Sequence, residues 1–163
     1  MNDLITLHLF AEDYPRLKSW QLIQWCKVHG ADEWTVTAIS VKGAASGLFD
    51  RFDETMTSFR LADAPRRHLT AYRNALFIRT AELWKLTSAS LAALQEFLSE
   101  GIFMNRSGAD GWFEDLILYR QGELMLGVVS HEGEGILRVT GEDRQLLERD
   151  EFPFHLSGAY VGY

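Results

Sequence analysis

The sequence predicts an α+β fold, a mostly antiparallel sheet with helices packed on one face, and three observations predict it. Short runs recur in which apolar and polar residues alternate, as a half-buried strand requires. Two longer stretches stop at a glycine, Gly30 and Gly101, and the second repeats its apolar residues at helical spacing. In the C-terminal half, Gln121-Gly122 and Glu132-Gly133-Glu134-Gly135 divide three apolar runs at hairpin distance. A chain of 163 residues that is 47% hydrophobic and 24% charged suits one domain with its own core. With three prolines and no low-complexity tract it has no room for a long linker, so residues 1–163 are read as a single domain.

The elements follow in order. Residues 4–10 read as a strand, with Ile5, Leu7 and Leu9 on one side and Thr6 and His8 on the other. Glu12-Asp13-Tyr14-Pro15 opens a helix, because proline lacks only an N–H that has no partner in a first turn. That helix runs to about His29, where Lys27 and His29 suit the negative end of its dipole. Residues 34–42 are rich in β-branched side chains and predict a second strand. Gly43 to Gly47 is a connecting loop, 52–61 a third strand, and Asp63-Ala64-Pro65 a turn. Residues 71–79 are a fourth strand, with a helix as the competing reading, and 82–86 form a short strand.

Thr87 or Ser88 caps a helix over 89–100, with Leu91, Leu94, Phe97 and Leu98 on its apolar face. After a polar loop over 102–111, strands at 113–120, 123–131 and 136–140 form a meander. Thr140 with Asp143 resembles a capping box and opens a short C-terminal helix. The tail from Phe152 to Tyr163 has no Asp, Glu, Lys or Arg and docks on the body, either as an edge strand or in a dimer contact. The order β-α-β-β-β therefore occurs twice. In element order alone this is similar to the tandem modules of the vicinal-oxygen-chelate metalloenzymes, whose strands supply His and Glu ligands. His8 is the strand residue such an arrangement would pair with a distant acid or His, but no ligand motif of that family matches residue by residue.

Charge and composition narrow the function. A net charge of −7 opposes binding to nucleic-acid phosphates and suits a basic protein partner. The single cysteine, Cys26, cannot form an internal disulfide or a Cys-x-x-Cys site, and its apolar helical setting predicts a buried thiol. Met1-Asn2-Asp3-Leu4 has neither the basic segment nor the apolar run of a secretion signal. No window approaches the ~18–20 apolar residues needed to span a bilayer. A cytoplasmic protein without membrane association is the expectation.

Four sets of residues carry chemistry worth locating. Arg60, Arg66, Arg67, Arg73, Arg79 and Lys85 stand against only Asp63 and Glu82, a local reversal of sign whose guanidinium forks suit phosphate or carboxylate. The ordinary reading is a solvated surface paired with acids elsewhere. His131 with Glu132 and Glu134 offers an imidazole and two carboxylates at a turn, without the His-Glu-x-x-His spacing of zinc hydrolases. The loop from Gly43 to Gly47 lacks the Gly-Lys-Ser/Thr of a phosphate-binding loop. Trp112 is either an exposed recognition aromatic or a core residue, and the strand after it is apolar on both sides, which implies burial on both faces by helices or by a partner chain. No Gly-x-Ser-x-Gly elbow occurs, and no catalytic residue, metal or cofactor is assigned.

The leading expectation is a non-catalytic binding protein that works through its surface, such as an acidic inhibitor or immunity-type protein for a basic partner. The alternative is a small enzyme or binding protein for an anionic metabolite, in which Arg66, Arg67, Arg73 and Arg79 orient the ligand and His131 and Glu134 supply the chemistry. A homodimer through the C-terminal tail is compatible with both.

Overall fold

The computed structural model describes residues 3–40, 47–70, 75–103 and 111–156. The chain forms an α+β fold with antiparallel sheets. Strand β1 (Ile5–Phe10) leads into helix α1 (Arg16–Val28), which ends at Gly30 with φ +98°. Strand β2 (Glu33–Ile39) follows, then helix α2 (Gly47–Met56) and the hairpin β3 (Ala64–Leu69) and β4 (Leu76–Ala81). A two-residue strand β5 (Trp84–Lys85) precedes helix α3 (Ser88–Phe97). The meander β6 (Trp112–Arg120), β7 (Glu123–Val129) and β8 (Glu134–Val139) leads to α4 (Gly141–Arg149) and the edge strand β9 (His155–Leu156).

Local chemistry explains most of these boundaries. Gln121 and Gly122 both have positive φ, 54° and 79°, the pair of values that a two-residue hairpin turn needs to match strand twist. Both capping boxes are closed. The Thr87 hydroxyl accepts from Ser90 N–H while Ser90 Oγ accepts from Thr87 N–H, and Thr140 and Asp143 do the same.

Residues 47–56 depart from expectation. A strand was expected from residue 52, and the structure has a helix and a short 3-10 turn, Thr57–Phe59. Leu48, Phe49, Phe52 and Met56 lie three and four apart, and Phe52 and Met56 are buried on one helix face. The alternation after Met56 is local and loses to that longer period. The expected turn at Asp63-Ala64-Pro65 is instead the start of β3, which tolerates Pro65 because it pairs on one side only, with β4. Of the strand expected over 71–79, residues 76–79 belong to β4 and 71–74 lie outside the described residues. The first half thus reads β-α-β-α-β-β-β, with α2 as the additional element.

Seven strands form one sheet in the order β5-β2-β6-β7-β8-β1-β9, so strands from the two halves interleave and there are no two separate modules. The helices cover one face, where Leu7, Leu9, Leu118, Leu126, Val128, Leu137 and Val139 meet Leu22, Ile23, Cys26, Leu94 and Leu147. The β3–β4 hairpin covers the other, where Leu69 and Ala81, with Leu83 just beyond β4, meet Ile117, Tyr119, Leu124, Val129 and Ile136. The two-sided apolarity of β6 is therefore satisfied by helices on one side and by the chain's own hairpin on the other. A bulge interrupts β6. Thr35 faces Ile117 and Thr37 faces Glu114, so three steps on β6 oppose two on β2, and Asp115 takes φ 55°.

Candidate functional site

A cleft lies at the β2 edge of the sheet, beneath α2. Because β5 is only two residues long and pairs with Glu33 and Trp34, the sheet ends at β2 from Val36 onward. Val36 and Ala38 are too small to fill the space under the helix. The walls are Phe49 and Phe52 of α2, Trp84 of β5 and Phe113 of β6, and the open cleft between them has a volume of about 270 Å³. The aromatic rings of the wall pack on one another. Phe52 packs on Phe113 at 4.4 Å and meets Trp84 edge-on at 5.4 Å, and Trp84 stacks on the buried Trp34 at 4.8 Å.

Two carboxylates, Asp53 and Glu82, complete the lining, and both residues are exposed. The Glu82 backbone is fixed by the Thr35 hydroxyl, which donates to its carbonyl at 2.7 Å. Its carboxylate accepts Arg60 at 3.1 Å, and Arg60 also reaches Asp63 at 3.3 Å. Among the described residues the Asp53 carboxylate has no hydrogen bond or ion pair. The site is thus an aromatic slot with a net negative mouth. Rings present a negative face to a cation, and carboxylates supply the matching charge.

The arginines of the basic stretch are largely engaged elsewhere. Arg66 grips Glu33 with two parallel bonds, Nε to Oε2 at 2.9 Å and Nη2 to Oε1 at 3.1 Å, and so ties β3 to β2. That pairing raises the Arg66 pKa. Arg67 meets Glu123 at 3.5 Å, Arg79 is exposed opposite Arg66 on the hairpin, and Arg73 lies outside the described residues. Arg66 sits beside Gly122 at one end of β7, whereas His131 follows the other end. At strand rise the seven residues of β7 place them roughly 20 Å apart. Arg66 and Arg79 are therefore not gathered with His131 and Glu134.

His131 lies near two carboxylates that the sequence did not single out with it. Its ring and the carboxylates of Glu114 and Asp115 place one donor atom each within 4.8 Å of one another. Glu134 instead begins β8, opposite Val129. Trp112 is half-buried, and its indole N–H donates to Glu114 at 3.2 Å. His8 stands opposite Ile136 and His155 in the sheet. Of the loop from Gly43 to Gly47, residues 43–46 lie outside the described residues and Gly47 starts α2.

Two further polar groups escaped sequence reasoning. His68 is 3% exposed and Tyr119 fully buried between hairpin and sheet, and neither His68 Nε2 nor the Tyr119 hydroxyl has a partner among the described residues. Burial, helped by nearby Arg79, lowers the His68 pKa to about 4, and burial raises that of Tyr119. The cleft itself was missed because 52–61 reads as a strand, and the Leu48–Phe52–Met56 spacing was the signal that could have found it.

No family model matches the chain, and neither a curated protein nor a solved structure is significantly similar to it. No helix among the described residues is long and apolar enough to cross a membrane.

Proposed function

We propose that the chain is a non-catalytic binding protein that takes a cationic side chain of a basic partner into the slot beneath α2, in the manner of an acidic inhibitor. The carrying observation is the convergence of Phe49, Phe52, Trp84 and Phe113 with Asp53 and Glu82 around one small cavity. Size and charge support the reading together. At about 270 Å³ the slot falls just short of the ~300–1,000 Å³ of small-molecule sites, and one lysine or arginine head group fits it better than a metabolite. A neutral apolar group would desolvate Asp53 without compensating it, since of these two carboxylates only Glu82 is already paired among the described residues, with Arg60. The overall charge of −7 would speed encounter with a basic surface.

Titration of Trp fluorescence with a short arginine- or lysine-containing peptide tests this. Binding should weaken several-fold in Asp53→Asn and fall with added salt, since a cation on an aromatic face contributes ~0.5–2 kcal/mol. A norleucine peptide that binds as well as the lysine peptide would overturn the proposal. A homodimer through the C-terminal tail remains compatible with this function. The anionic-metabolite alternative gains no support from the placement of Arg66, Arg79, His131 and Glu134.

A further inference from the structure

We infer that Glu114, Asp115 and His131 form a binding site for a divalent first-row transition metal ion at the bulge of β6. Adjacent residues of a regular strand point to opposite faces, so Glu114 and Asp115 should not share a ligand. The extra residue in β6, with Asp115 at φ 55°, removes that separation. The result is two carboxylates and an imidazole whose donor atoms all lie within 4.8 Å of one another.

Two independent features point to a cation. The carboxylates repel each other at this distance, and among the described residues neither has a lysine or arginine partner. Each acid is also oriented from behind with an oxygen to spare. Asp115 Oδ1 accepts Ser130 N–H at 2.8 Å, and Glu114 Oε2 accepts the Trp112 indole at 3.2 Å, which leaves Oδ2 and Oε1 for an ion. The Ser130 hydroxyl in turn accepts Asp115 N–H at 2.8 Å, and Ser130 is buried, so the bulge is pinned to the end of β7. His131 is exposed and its ring is free of hydrogen bonds among the described residues, so it can close by rotation onto an ion about 2.0–2.2 Å from each donor. One nitrogen and two oxygen donors favour Zn²⁺ or Mn²⁺ over Mg²⁺ or Ca²⁺, which prefer oxygen alone. Water would fill the remaining positions.

The full chain, stripped with chelator, is titrated calorimetrically with Zn²⁺ and Mn²⁺, with Mg²⁺ and Ca²⁺ as comparison ions. One ion should bind per chain. Affinity should fall by at least ~10-fold in His131→Ala and in Asp115→Asn, each confirmed as folded by circular dichroism. His131 is exposed, and asparagine tolerates the left-handed backbone and can still accept Ser130 N–H, so both variants retain the fold. Absence of Zn²⁺ and Mn²⁺ binding at millimolar concentration overturns the inference. So does affinity unchanged in either variant, or binding of Mg²⁺ or Ca²⁺ as tight as that of Zn²⁺ and Mn²⁺. Because Asp53 and Glu82 are absent from this site, its failure leaves the slot beneath α2 untouched, and the peptide titration is blind to the metal.

Discussion

His68 is held neutral because the imidazolium would be buried against the hairpin with Arg79 nearby. Its pKa falls from 6.5 to about 4, so between those values the unfolded chain binds the proton and the folded chain does not. Stability is therefore complete above about pH 6.5 and declines as pH falls toward 4, by on the order of 3 kcal/mol in the limit. His68→Gln should flatten that part of the stability–pH curve measured by urea unfolding, and an identical curve would show that the imidazole is solvated. Cys26, in contrast, behaves as its apolar setting predicts. It is fully buried, and burial pushes its thiol pKa up. What could be read from single residues was their helical or strand setting. The unpaired Nε2 of His68 could not be read, because Tyr119 is brought to it from β6, a remote part of the chain.

At the scale of elements, caps and turns were legible because they are local. Thr140–Asp143, Gln121-Gly122 and the glycine stop at Gly30 each act within a few residues, whereas α3 ends at Phe97 with Leu98 as its cap, short of Gly101. Helix α2 was not legible from a window that began at Phe52, and with it went the slot. Gly111 shows how tightly that slot is set. Its φ is +102°, and a Cβ there would lie 2.5 Å from the Ile39 carbonyl oxygen and 2.8 Å from the Phe49 ring. Gly111→Ala should cost more than about 1 kcal/mol in chemical unfolding, because both the backbone conformation and the space are unavailable to it. It should also displace Phe49 and weaken lysine-peptide binding, and a variant with wild-type stability would show that neither constraint operates.

At the scale of the molecule, the tail was expected on an edge or in a dimer contact, and His155–Leu156 indeed pair with β1 at the edge of the sheet. Residues 157–163 of that tail lie outside the described residues, and Leu156 is 41% exposed. Light scattering at high concentration should read twice the 18.6 kDa chain mass if the tail dimerises, whereas a monomer mass throughout would reject that assembly. Arg66 and Glu33 belong to this scale as well, since their double hydrogen bond fastens the hairpin across the face that the helices leave open.

By itself the sequence determined the α+β class, the meander, three of the four α-helices among the described residues and the burial of Cys26, because periodicity, caps and turns are written in neighbouring residues. Only the tertiary structure decided that β1 would lie beyond β8, that the hairpin would cover the second face, and that His131 would come near Glu114 and Asp115. Those choices depend on which apolar faces bury best against each other across long stretches of chain, a competition that no local window contains.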